Sequence, residues 1–227
     1  TENQNVRIEY RWTSNDYTKL PIFADELIKE NVSVIVAAGG HVVALAARKA
    51  TTTIPIVFTT VTDPVKDGLV ASLNRPGGNA TGTAGLTSEL DAKRLELIRE
   101  LIPKAATVGV LVNPNRPNVD IQLRDIRTAA EKLGLGLDVH RPVTVDEIAD
   151  AFKAMAAKHV DAVVVGADPF FNNNRPRVIS LASEFSIPAI YQWREFVAAG
   201  GLISYGPSIT EAYQHAGRVA GQILKGT

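Results

Sequence analysis

The chain has 227 residues, 45% of them hydrophobic and 21% charged, with 24 Lys+Arg against 24 Asp+Glu. That balance supports a buried core and excludes a disordered chain, and a net charge of +0 argues against a mainly electrostatic nucleic-acid binder. Cysteine is absent, which excludes disulfides, thiol catalysis, zinc–thiolate sites and iron–sulfur clusters. No apolar run reaches the roughly 18 residues that a membrane helix needs.

In chain order, Val6-Arg-Ile-Glu-Tyr-Arg-Trp12 alternates apolar and polar residues, the pattern of an edge strand with one wet face. Leu20, Phe23, Ala24, Leu27 and Ile28 then form a helical stripe. The runs 32–38 and 54–58 are rich in Val and Ile and do not alternate, as in strands buried on both faces. Residues 81–86 read as a weaker strand, 108–112 as a firm one and 135–140 as another weak one. A helical stripe runs through Val119, Leu123, Ile126, Ala130 and Leu133, and another through Ile148, Phe152, Met155 and Ala156. The run 160–165, the stripe Val178, Leu181, Ala182 and Phe185, and the runs 187–191 and 202–205 follow. Ala212, Ala216, Val219, Ala220 and Ile223 mark a last helix. Thr144-Val-Asp-Glu147 and Ser208-Ile-Thr-Glu211 fit the capping box, with Ser88-Glu-Leu-Asp91 a weaker version.

Strand–helix alternation predicts right-handed βαβ units, and the strands are too many for one small sheet. The predicted fold is α/β, with two Rossmann-like lobes built on parallel sheets. Residues 1–85 plus 205–227 form lobe 1, residues 86–204 form lobe 2, and the chain crosses at 85–89 and 204–207. The helix 209–225 then packs on lobe 1.

Ligands of open α/β sheets bind beyond the carboxyl ends of the strands, so the residues after each strand are the candidates. Gly39-Gly40-His41 offers free backbone N–H groups or simply a tight turn. In Thr59-Thr60-Val-Thr-Asp63-Pro64, hydroxyls suit a carboxylate, while Asp63 suits an ammonium group or caps a helix beginning at Pro64. Asn113 opens a turn and could touch a ligand. Asp168 precedes Phe170 and Phe171, and reads either as the charged anchor of an aromatic-lined pocket or as a helix cap with one Phe in the core. Tyr191 and Tyr205 close strands and carry an apolar body with a polar tip. Trp193 is as consistent with packing. No phosphate loop, zinc-protease or serine-hydrolase motif is present, and the four His at 41, 140, 159 and 215 are scattered. Asn79-Ala-Thr81 matches a glycosylation sequon within a turn.

Longer motifs carry a resemblance. Ile54-Pro-Ile-Val-Phe58, Thr62-Asp63-Pro64-Val65 and Gly68-Leu-Val-Ala-Ser-Leu-Asn-Arg-Pro-Gly-Gly-Asn79 are distinctive. So are Lys93-Arg-Leu-Glu-Leu-Ile98, Gly166-Ala-Asp-Pro-Phe-Phe171, Pro188-Ala-Ile-Tyr-Gln-Trp-Arg-Glu-Phe196 and Gly200-Gly-Leu-Ile-Ser-Tyr-Gly-Pro207. Together they resemble bacterial ABC-transporter substrate-binding proteins of the tryptophan/tyrosine type. The resemblance implies a type I periplasmic-binding fold, whose two lobes close on a small, amino-acid-like ligand in the cleft between them. It implies no catalysis, cofactor or metal, and no nucleic acid. The implied partners are the ligand and the membrane permease of an ABC importer. The implied setting is periplasmic or otherwise extracytoplasmic, as a monomer, lipid-anchored in the full-length protein. The matched motifs carry over Thr59, Thr60, Asp63, Asp168, Phe170, Tyr191 and Tyr205, while Gly40, His41 and Asn113 rest on the strand-end argument alone. Members of that family have a strand before the position of Val6 and continue past Gly226, so the chain is expected to be a shortened view of a longer exported one. The rivals are a Rossmann-like enzyme and the ligand-sensing domain of a transcriptional regulator.

Overall fold

A computed structural model describes residue 2 and residues 4–85, 90–116 and 119–226. Its contacts divide the chain into two compact units: unit 1 is Thr1–Thr83 with Gln214–Thr227, and unit 2 is Ala84–Tyr213.

Unit 1 opens on an extended segment rather than the expected edge strand. Among the described residues, Val6 makes an isolated bridge to Glu2 and no ladder. Alternation makes a strand only where a sheet edge accepts the backbone ladder; here the polar side of the segment is tied down instead. Arg11 Nε donates to Glu26 and Arg11 Nη2 to Glu30, each at 2.6 Å. The apolar side stays out, with the rings of Tyr10 and Trp12 stacked at 5.8 Å and both exposed. A single 3-10 turn, Tyr17–Lys19, leads into α1 (Leu20–Lys29), β1 (Ile35–Ala38), α2 (His41–Ala50), β2 (Ile56–Thr60) and β3 (Ala80–Ala84). These strands form a sheet of order β1-β2-β3, with β1 and β2 parallel. β2 is buried throughout, but β1 buries only Ile35 and Ala37 and leaves Val36 exposed. The reason lies in what covers each face. One face packs Ile35, Ala37, Ile56 and Phe58 against Ala44 and Ala47 of α2. The other packs Val57 and Val34 against Ala216, Val219, Ala220 and Ile223, and that cluster does not include Val36. The last helix, α9 (Ile209–Lys225), therefore completes the core of unit 1 through Ala216, Val219, Ala220 and Ile223.

The segment after β2 corrects a second expectation. Pro64 starts a series of turns, not a helix: Asp67 N donates to Asp63 O at 3.0 Å and Leu69 N to Pro64 O at 2.8 Å. Gly68 then takes φ +69, which ends any helical continuation. The sequon Asn79 is committed to structure, its Nδ2 donating to Thr51 O at 3.1 Å and Ile54 O at 2.8 Å.

Unit 2 carries α3 (Asp91–Leu101), β4 (Thr107–Leu111), α4 (Val119–Leu133), β5 (Gly136–His140) and α5 (Val145–Ala157). It continues with β6 (Ala162–Val165), α6 (Pro169–Asn173), α7 (Arg175–Glu184), β7 (Ala189–Tyr191), α8 (Arg194–Ala198) and β8 (Ile203–Ser204). The sheet order is β5-β4-β6-β7-β8, and its neighbouring strands pair in parallel. One face packs Val108, Val110, Val164 and Ile190 against Leu95 and Ile98 of α3 and Leu123 and Ile126 of α4. On β4, Gly109 admits the α5 side chain Met155, whose Sδ lies 2.2 Å from where a Cβ would stand. The capping boxes form with a twist. Glu147 N donates to Thr144 Oγ1 at 3.2 Å, while the Glu147 carboxylate accepts from Val143 N at 2.7 Å. Glu211 N donates to Ser208 Oγ at 3.2 Å, but the reciprocal carboxylate is Glu195, which accepts from Ser208 Oγ at 2.8 Å. The weaker box at Ser88 lies outside the described residues.

Candidate functional site

In unit 1 the candidates gather at the carboxyl ends of β1 and β2. Ala38 pairs with Thr59 in the parallel register, and Gly40 N donates to Thr59 O at 3.2 Å. Gly39 and Gly40 have φ of +129 and +101, a backbone that favours glycine, and this turn delivers His41 as the first residue of α2, 5% exposed. Thr59 and Thr60 are buried. Thr60 Oγ1 lies 2.8 Å from Thr62 Oγ1 and accepts from Thr62 N at 3.2 Å, while Thr62 Oγ1 donates to Asp67. Asp63 faces its own turn, accepting from Val65 N at 2.9 Å and Lys66 N at 3.3 Å. Those backbone amides, Val65 first, hold its carboxyl below the usual range.

In unit 2, Asn113, Asp168 and Tyr205 follow β4, β6 and β8, and Tyr191 is the last residue of β7; these strands are neighbours in the order β4-β6-β7-β8. The structure brings Asn113 and Asp168 together, both buried: Asn113 Nδ2 donates to Asp168 Oδ1 at 2.9 Å. The same oxygen accepts from Phe170 N at 2.8 Å and caps α6. Asp168 Oδ2 is buried with no partner among the described residues. Burial pushes the Asp168 carboxyl up, against the pull of the Asn113 amide, the Phe170 N–H and the Arg116 charge. Phe170 and Phe171 are both buried, rings 5.3 Å apart. Tyr191 is enclosed, its ring stacked on Phe196 at 4.6 Å, and burial pushes its hydroxyl up to about 12. Tyr205 is half exposed, and its backbone N donates to Tyr191 O at 3.0 Å. Trp193 is buried at the start of α8.

A buried polar cluster beside this edge escaped the sequence reading. Arg94, fully enclosed, donates Nη1 to Asp91 and Nε to Tyr205 O at 2.9 Å. Gln122 Nε2 donates to the other Asp91 oxygen at 2.7 Å, and Arg116 Nη1 to Ala167 O at 2.5 Å. Burial pushes Asp91 up and Arg94 down, while their contact favours the charged pair. A signal existed: Asp91, Arg94, Leu95 and Ile98 share one helical stripe, so two charges sit on the face that enters the core. Gln192 was missed as well; it is fully buried. Among the described residues, no group of three or more His, Asp or Glu side chains is placed to hold a metal, and no helix is long and apolar enough to cross a membrane.

Comparison with known proteins agrees with this architecture. The chain is 32% identical to a tyrosine-binding protein of Clostridioides difficile over 99% of its own length, and spans 64% of the length of that relative. It is 27% identical to the ABC domain from Streptococcus pneumoniae solved in complex with L-Trp, covering 98% of this chain and 76% of that one at a TM-score of 0.78. It is 28% identical to a conserved domain protein from Vibrio cholerae, covering 100% of this chain and 75% of that one at a TM-score of 0.81. The family described as ABC transporter substrate binding protein matches residues 1–227, and the chain belongs to that family.

Proposed function

We propose that this chain is the solute-capturing part of an ABC importer and that its ligand is an aromatic amino acid. Acting outside the cytoplasm, it delivers that ligand to a membrane permease without chemical change, and its two units close on the ligand as it binds. The observation that carries the reading is the Asp168 carboxylate. One oxygen is fixed by Asn113 and the Phe170 amide, and the other is buried with no partner among the described residues. A buried carboxylate oxygen is strongly stabilised by a cation, and a ligand ammonium group supplies one. The phenyl rings of Phe170 and Phe171 beside it suit an aromatic side chain. The tyrosine-binding protein and the L-Trp complex among its relatives favour the same ligand class. Calorimetric titration with L-tryptophan, L-tyrosine and L-phenylalanine tests it. Saturable binding of at least one is expected, weakened about 10- to 100-fold in Asp168→Asn, the range for losing a hydrogen bond to a charged group. A wild-type chain that binds none of the three overturns the reading.

A further inference from the structure

We infer that Gln192 reads the ligand, pairing its side-chain amide with the carboxylate and ammonium groups of an α-amino acid. The inference rests on the amino-acid reading above. β7 sends Ile190 into the core beneath α3 and α4, and strand alternation returns the next-but-one residue, Gln192, to that same face at the carboxyl end of the sheet. Gln192 is 0% exposed, and neither Nε2 nor Oε1 has a partner among the described residues. It belongs to the same sheet edge as Asp168, whose Oδ2 is in the same condition.

Two glycines lie near Gln192, while continuing the register Ile190↔Ile203 by two residues sets Tyr205 opposite it on the β8 side. On the β8 side, a Cβ at Gly206 would stand 2.1 Å from Gln192 O and 3.2 Å from Arg94 Nη2. On the β6 side, continuing the register Val164↔Ile190 by two residues sets Gly166 opposite Gln192. A Cβ at Gly166 would stand 2.8 Å from Leu111 O and 3.5 Å from Gln122 Nε2. The edge around Gln192 therefore combines bare backbone at two glycines with Tyr205 and long polar side chains, and both ends of the Gln192 amide are unspent among the described residues.

An amide buried in this way destabilises the protein relative to an apolar side chain of the same shape, unless something supplies a donor and an acceptor. An α-amino acid offers both on adjacent carbons: its carboxylate accepts from Gln192 Nε2 and its ammonium donates to Oε1, leaving Asp168 Oδ2 to take a second ammonium hydrogen. Sites of this kind reject analogues that lack one partner far more strongly than apolar pockets reject a missing methylene. A buried water is the rival occupant, and it predicts no ligand dependence.

The test titrates the full chain, wild type and Gln192→Met, with L-tryptophan, tryptamine (no carboxylate) and indole-3-propionate (no ammonium). Met matches Gln in length and removes both polar ends. The expected result is a folded variant, melting at or above the wild-type temperature, that binds L-tryptophan about 10- to 100-fold more weakly and loses most of the preference for L-tryptophan over the two analogues. Equal L-tryptophan affinity in the two proteins overturns this inference and leaves the amino-acid reading standing. Failure of the wild type to bind L-tryptophan, L-tyrosine or L-phenylalanine overturns both. Should Gln192→Met not fold, the side-chain NH2 resonances of Gln192 in the wild type decide the matter. A shift on adding L-tryptophan supports the pairing, and resonances unmoved at saturation overturn it.

Discussion

Arg94 and Asp91 show what a single buried charge demands of its neighbours. Both side chains are closed off from solvent, and each is held by the other, with Gln122 and the Tyr205 carbonyl completing the set. Removing one partner strands the other in a low-dielectric interior, which costs about 3–5 kcal/mol. Arg94→Met is therefore expected to lower the urea midpoint sharply with the slope unchanged, and adding Asp91→Asn to it is expected to restore part of the loss. A double variant no more stable than Arg94→Met would show that pairing is not the cause. Asp168 makes the corresponding prediction for binding. Burial raises its pKa, so on acidification it gains its proton earlier than a surface carboxylate. Ligand ammonium needs the ionised form, so affinity for L-tryptophan is expected to fall as pH drops from 7 through that raised value. Asp168→Asn should bind weakly and show a flat profile. For folding the sign is opposite: a raised acid pKa contributes stability that is present at low pH and lost as pH rises through it. Asp168→Asn without ligand should thus gain stability near neutrality, which thermal melts at pH 7 will show.

At the scale of elements, Asp161 ties the start of β6 to β4, its Oδ2 accepting from Ala106 N at 2.7 Å and Thr107 N at 2.9 Å. Those two amides, Thr107 first, lower its pKa below the ordinary carboxylate value. The resulting stability is present above the unfolded pKa, about 3.9, and is lost as pH falls through the depressed folded one. Asp161→Asn should therefore be less stable at neutral pH, and the difference should shrink below about pH 4. Acid titration of the unfolding midpoint checks this. The elements themselves were largely legible, because strands buried on both faces leave unbroken Val and Ile runs that few other structures produce. Their ends were not: the run 187–191 keeps only Ala189–Tyr191 as strand, since a ladder stops where its neighbour stops. Residues 6–12 alternate correctly yet lack a strand partner among the described residues, and alternation cannot report what lies alongside. Within the candidate site, Asp168 was legible as a residue at a strand end that also caps a helix. Gln192 was not, because a polar residue after a strand ordinarily faces water, and only its full burial in the folded chain shows otherwise.

For the whole molecule, the decisive feature is that unit 1 is assembled from two distant stretches, with Gln214–Thr227 supplying Ala216 and Ala220 against Val57. A chain ending at residue 213 is expected to lose amide-exchange protection in β2 by several orders of magnitude, because Val57 and Val34 face water. Amides of β4 and β6, whose cover is entirely local, should keep theirs. Uniform loss across both sheets would show that the two units do not hold their cores separately.

The same arrangement dictates an order of manufacture. A ribosome releases the strands of unit 1 first, then the whole of unit 2, and only then the residues of α9 that seal the first core. The usual sequence, in which the amino-terminal domain is finished first, is reversed. During synthesis the second unit can be complete while the face of β2 around Val57 is still waiting for its cover.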